Sequence, residues 1–70
     1  MDFKLYYRQL DREQRKAFAN RAQTSTRYIE NHLMFRRRIP RPDMLERLAA
    51  ASQGKVSYGD LVTFFYQEAA

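Results

Sequence analysis

The sequence has no cysteine and no tryptophan, and only one histidine, two glycines and two prolines; each shortage closes a route. Without cysteine, neither a disulfide nor a thiolate metal site can supplement the core. A lone His32 leaves a structural zinc ion short of ligands. No stretch approaches the ~20 consecutive apolar residues that a membrane-spanning helix needs. Met1-Asp2-Phe3-Lys4-Leu5 lacks the basic-then-apolar layout of a secretory signal, so a soluble cytoplasmic chain with no membrane partner is expected. One histidine, no glycine-rich phosphate loop and no paired acids leave little for catalysis, and 70 residues would struggle to enclose a substrate. Neither an enzyme nor a cofactor is expected.

What the chain does have is aromatic bulk and positive charge. Five Phe and five Tyr can build much of a core, because each buries a large area. Lys and Arg number 13 against 8 Asp and Glu, a net charge of +5. The excess is uneven: residues 12–41 carry nine basic and two acidic side chains, so this stretch is +7 and the remainder −2. A basic middle suggests a face made for a polyanion.

The punctuation predicts a single all-α domain over residues 1–70, a compact bundle of four or five helices. Asp2 caps a first helix over Phe3–Leu10, with Phe3, Tyr6, Tyr7 and Leu10 inward. Asp11 and Gln14 form a capping-box variant opening a second helix to about Ala22, with Phe18 and Ala22 inward. Thr24-Ser25-Thr26 offers hydroxyl caps for a third helix through roughly Leu33, with Ile29 and Leu33 inward. Arg36 to Pro42 reads as a loop, and Pro42 suits the first position of a fourth helix running to about Gln53. That helix should bury Leu45, Leu48, Ala49 and Ser52, with Gly54 ending it in a left-handed conformation. Ser57 and Asp60 form another capping pair ahead of Leu61, Phe64 and Phe65. The run from Leu61 to Tyr66 also has strand propensity, so helix is preferred there with strand as the alternative.

Two short helices, a tight connection and a basic loop suggest a helix-turn-helix over about 12–34. Residues 12–62 resemble the Cro/repressor-type helix-turn-helix proteins of phages and prophages, and among them the small YdaS-type members. The resemblance rests on Phe18-Ala19-Asn20-Arg21-Ala22, Thr24-Ser25-Thr26-Arg27-Tyr28-Ile29, Arg36-Arg37-Arg38-Ile39-Pro40, Ala51-Ser52-Gln53-Gly54-Lys55-Val56-Ser57 and Asp60-Leu61. Ala19 stands where the two helices would cross, with Ile29 packing against the same crossing. Two positions depart from the family pattern. Gln23 stands where the family usually has a turn glycine with positive φ, at a cost of ~1 kcal/mol if that geometry is kept. His32 stands at a usually apolar inward position, and reads as a half-buried histidine hydrogen-bonded to a neighbouring helix rather than as a pH sensor.

The resemblance implies a sequence-specific regulator of double-stranded DNA, a Cro-like repressor that reads the major groove with its third helix. The side chains it places against base edges are Thr26, Arg27, Glu30 and Asn31, with Ser25 and Tyr28 at the margin. Their chemistry suits the role: Arg27 can bridge guanine O6 and N7, Asn31 adenine N6 and N7, and Glu30 can accept from cytosine N4. Against this, Arg27 and Glu30 also read as ordinary solvated helix charges pairing at i,i+3. Gln14, Arg15 and Lys16 on the second helix and Arg36, Arg37, Arg38 and Arg41 beyond the third are implied phosphate contacts. The resemblance further implies a palindromic operator bound by a homodimer. Val62 and Tyr66, within a C-terminal element at about 57–70, either form the dimer surface or complete the core.

The competing reading is an antitoxin or adaptor that uses the helical domain to hold a toxin or other protein partner, for which an acidic partner would suit the arginine run. RNA binding is disfavoured because most aromatics fall on inward helical faces, not on an exposed platform.

Overall fold

The computed structural model describes residues 1–66. Helix α1 spans Phe3–Gln9, α2 Arg12–Arg21, α3 Thr26–Tyr28, α4 Pro42–Ala51 and α5 Tyr58–Tyr66, and α3 passes directly into a π-helical segment over Ile29–Leu33. Among the described residues there is no strand. The strand alternative for Leu61–Tyr66 is therefore wrong, and the reason is local. The Ser57 N–H donates to Asp60 Oδ2 at 2.9 Å and the Asp60 N–H to Ser57 Oγ at 3.0 Å, which satisfies two donors of the first helical turn. Residues 67–70, the end of the expected C-terminal element, lie outside the described residues.

The other caps form as expected. Asp2 accepts from the Leu5 N–H, and Asp11 and Gln14 make both bonds of a capping box. Pro42 opens α4, whose N-cap is Arg41. Helix α4 stops at Ala51, short of the expected Gln53, and the residue that first turns left-handed after it is Gln53 at φ +58°, not Gly54, which follows at +87°.

Phe3, Tyr6, Tyr7, Phe18, Ala22, Ile29, Leu33, Leu45, Leu48, Leu61, Phe64 and Phe65 are buried as the helical spacing requires. Leu10 and Ala49 are only half-buried, whereas Met34, Pro40, Ala51 and Val56 are buried without having been expected. The aromatic centre is Phe3, whose ring lies within 6.4 Å of those of Tyr7, Phe18, Phe64 and Phe65. Ser52, buried at the end of α4, has Oγ 2.7 Å from the Ala49 carbonyl and accepts the Val56 N–H at 3.0 Å. That hydroxyl satisfies backbone groups which would otherwise be stranded in the core. Helix α5 packs on α1 and α4, and α4 on α2, leaving the outer side of α3 uncovered.

Candidate nucleic-acid interface

The connection between α2 and α3 is tight and fully bonded. The Thr24 N–H donates to the Ala19 carbonyl at 2.9 Å and the Gln23 N–H to the Asn20 carbonyl at 3.0 Å. This pair of bonds ends a helix on one left-handed residue, and Gln23 is that residue, at φ +61°. A glutamine thus holds a left-handed turn for which glycine is the usual residue. Ser25 Oγ then accepts the Tyr28 N–H at 3.0 Å and starts the next helix.

From Ile29 the backbone widens to π geometry, with the Met34 N–H bonded to the Ile29 carbonyl at 2.9 Å. An uninterrupted α-helix through Leu33 was expected; the wider turn lets both Leu33 and Met34, four and five residues on, share the buried side with Ile29. The rod ends on the same bonding pattern as α2. The Arg37 N–H donates to the His32 carbonyl at 2.9 Å, the Arg36 N–H to the Leu33 carbonyl at 3.1 Å, and Arg36 is left-handed at φ +56°. Ser25, Arg27, Glu30 and Asn31 are exposed along the outer side, with Thr26 and Tyr28 half-buried at its margins.

Cations flank this edge on two sides. Arg12, Arg15 and Lys16 of α2 line a crevice of about 310 Å³ with Thr26 and Glu30. On the other side Arg38, Arg41 and Arg47, the last paired with Asp43 at 3.2 Å, border a cleft of about 470 Å³ with Tyr28, Ile39 and Met44. Arg37 is exposed, its guanidinium 5.5 Å from the centre of the equally exposed Phe35 ring.

Not every expected phosphate contact stands in this array. Gln14 gives Oε1 to its own helix cap and borders a separate depression with Tyr6, Gln9 and Arg21. Arg36 is committed elsewhere: Nε donates to the Phe64 carbonyl at 2.8 Å and the guanidinium lies 4.2 Å from that ring's centre. It belongs to a set. Arg15 Nε donates to the Tyr7 carbonyl at 3.3 Å, Arg21 Nε and Nη2 to Ala51 at 3.0 and 2.8 Å, and Arg47 Nε to Ala22 at 3.2 Å. Each of these arginines reaches a carbonyl in or just beyond the last described turns of a helix, where the dipole favours a cation. Part of the basic excess is therefore structural. The side chains of Arg12, Lys16, Arg27, Arg37, Arg38 and Arg41 make no hydrogen bond or ion pair among the described residues.

Glu30 is held from beneath. Tyr7 Oη donates to Glu30 Oε2 at 2.7 Å, and burial, reinforced by that bond and by the carboxylate's charge, raises the Tyr7 phenol well above its ordinary range. His32 is half-buried with its ring 5.1 Å from that of Tyr28, but it makes no side-chain hydrogen bond among the described residues, so the expected bond to a neighbouring helix is corrected.

Sequence reasoning missed Arg12 and Tyr7. Arg12 was within reach, since i,i+3 and i,i+4 spacing puts it on the face of Arg15 and Lys16. Tyr7 was not, because its partner is 23 positions away. Among the described residues no three His, Asp or Glu side chains converge to hold a metal. No protein-family model, curated protein or solved structure matches the chain.

Proposed function

We propose that this protein is a sequence-specific double-stranded DNA-binding regulator of the Cro-like repressor kind. The observation that carries the reading is the exposed edge of the third helix, from Ser25 to Asn31, standing between two groups of cations, of which the side chains of Arg12, Lys16, Arg38 and Arg41 make no bond among the described residues. A single helix fits the major groove of B-DNA, and the phosphate tracks on either side call for cations on both flanks. Arg27 and Asn31, one turn apart, supply bidentate donors and acceptors for guanine and adenine, while Arg12, Arg15, Lys16, Arg37, Arg38 and Arg41 hold the strands. So few base-reading residues discriminate poorly alone. A homodimer on a palindrome, with half-sites about one helical turn apart, doubles them.

Selection of bound duplexes from a random pool tests the reading. An enriched inverted repeat is expected; a pool that stays random while retaining salt-sensitive binding would overturn it.

The exposed side chains of Phe35 (65 %) and Ile39 (53 %) beside the arginine run favour a second reading, an antitoxin or adaptor whose partner is an acidic protein with apolar side chains. Phe35→Ser together with Ile39→Ser separates the two, because it would abolish such a complex and leave DNA selection unchanged.

A further inference from the structure

We infer that Tyr7, in the aromatic core, is a positioning residue that fixes the Glu30 carboxylate for reading cytosine at the exposed edge of the third helix; the inference rests on the DNA-binding reading. Glu30 is the one acid in an otherwise cationic crevice, with Arg12, Arg15, Lys16 and Thr26 around it. It forms no ion pair with these cations among the described residues. It instead accepts a hydrogen bond from the Tyr7 phenol at 2.7 Å.

The donor is immobile. Tyr7 is 2 % exposed, its ring 6.4 Å from Phe3 and 6.2 Å from Phe18, with the Arg15 guanidinium 4.9 Å from the ring centre. A flexible, solvent-exposed Glu loses rotamer freedom when it contacts a base; one already pinned to the core has lost most of it beforehand, and preorganisation of that kind sharpens discrimination. The pin occupies Oε2 and leaves the other oxygen free to accept.

An acceptor-only group is selective in the major groove. It is repelled by guanine N7 and O6 and by thymine O4, and adenine sets the N7 acceptor beside its N6 donor. Cytosine presents only the N4 donor. A single pinned oxygen therefore favours cytosine over the other three bases.

Selection from a random pool by the wild type and by Tyr7→Phe, Glu30→Gln and Glu30→Asp tests this, with the thermal midpoint of each variant measured alongside. The wild type is expected to enrich cytosine at one position of each half-site, by about tenfold over the next base. Tyr7→Phe removes the pin, and Glu30→Asp keeps the charge but is too short to reach the phenol. Both should flatten that position as fully as Glu30→Gln, leaving the other positions and the affinity for random duplex within about twofold. A Tyr7→Phe pool that keeps the cytosine, even with a lowered midpoint, would show the bond to be purely structural and overturn the inference while the DNA reading stands. A wild-type pool with no enriched sequence overturns both.

Discussion

Arg36 meets Phe64 twice, through an Nε hydrogen bond to its carbonyl at 2.8 Å and through a guanidinium 4.2 Å from the centre of its ring. The contacts tie the left-handed residue that ends the third helix to the last turns of α5. Arg36→Ala should therefore cost about 1 kcal/mol of stability, the charge-assisted bond and the cation–π contact both being reduced by solvent exposure. Neighbouring Arg37→Ala should leave the denaturation midpoint unchanged. Urea unfolding of both variants checks this, and equal midpoints would show that the contact does not stabilise the fold.

Arg36 also shows where the sequence stops being legible. The caps at Asp2, Asp11 and Ser57 could be read because both partners lie within three residues. The inward faces could be read because helical spacing is periodic. An arginine that caps a carbonyl 25 to 30 residues away has the same sequence appearance as one that meets a phosphate. Arg21, Arg36 and Arg47, the three drawn into such caps, were thus inseparable from the free ones until the helices were placed. The π-helical segment was hidden for a related reason: Ile29, Leu33 and Met34 all face inward only in a widened turn, and nothing local dictates that Met34 be buried.

Gln23 holds φ +61° at the end of α2. Glycine enters this region without steric cost, so Gln23→Gly should stabilise the domain by about 1 kcal/mol, a rise in midpoint of about 4–8 °C for a chain of this size. A β-branched residue is worse there, and Gln23→Val should shift the midpoint downward. A lower midpoint for the glycine variant would mean that the chain relaxes out of the left-handed conformation in solution.

Arg27 and Lys16 should respond differently to removal. Arg27 stands on the exposed edge and makes no bond within the described chain, so on the proposed reading Arg27→Ala weakens binding to the selected site by about 1–3 kcal/mol and barely affects random duplex. Lys16 lies in the flanking crevice. Its replacement by Ala should weaken both complexes and reduce the slope of log affinity against log salt by about 0.9. Binding titrations from low to high salt separate the two outcomes, and identical slopes for wild type and Lys16→Ala would remove Lys16 from the phosphate contacts.

Asp60 binds the terminal ammonium of Met1 at 2.8 Å and caps α5 through Ser57, and these bonds, the first foremost, lower its carboxyl from 3.8 to about 2. A depressed carboxylate stabilises the fold fully above its unfolded value and loses that contribution as pH falls through the folded one. The stability gap between wild type and Asp60→Asn should therefore be constant between about pH 5 and 7 and shrink between about pH 4 and 2. Because the carboxylate is open to solvent, added salt should narrow the gap at neutral pH as well. Paired acid titrations at two ionic strengths measure it; a gap that persists to pH 2 would show that the carboxylate's charge plays no part.

Tyr7 has the opposite sign. Its phenol is raised above the ordinary 10.0 chiefly by burial, then by the bond to Glu30 and the charge of that carboxylate, with Arg15 pulling weakly the other way. In the folded chain the proton is held where the unfolded chain has already released it. Over that interval the native state binds more protons than the unfolded one, so stability falls as pH climbs beyond about 10, and below that pH the contribution is fully present. Tyr7→Phe cannot ionise, so its stability should decline less steeply on the alkaline side, and the two curves should converge there. The ultraviolet band of phenolate gives a second view: the Tyr7 contribution, taken as the difference between wild type and Tyr7→Phe, should appear only as the domain unfolds. If that difference develops near pH 10 while the helical signal is intact, the phenol is not held against Glu30, and the anchoring of that carboxylate fails with it.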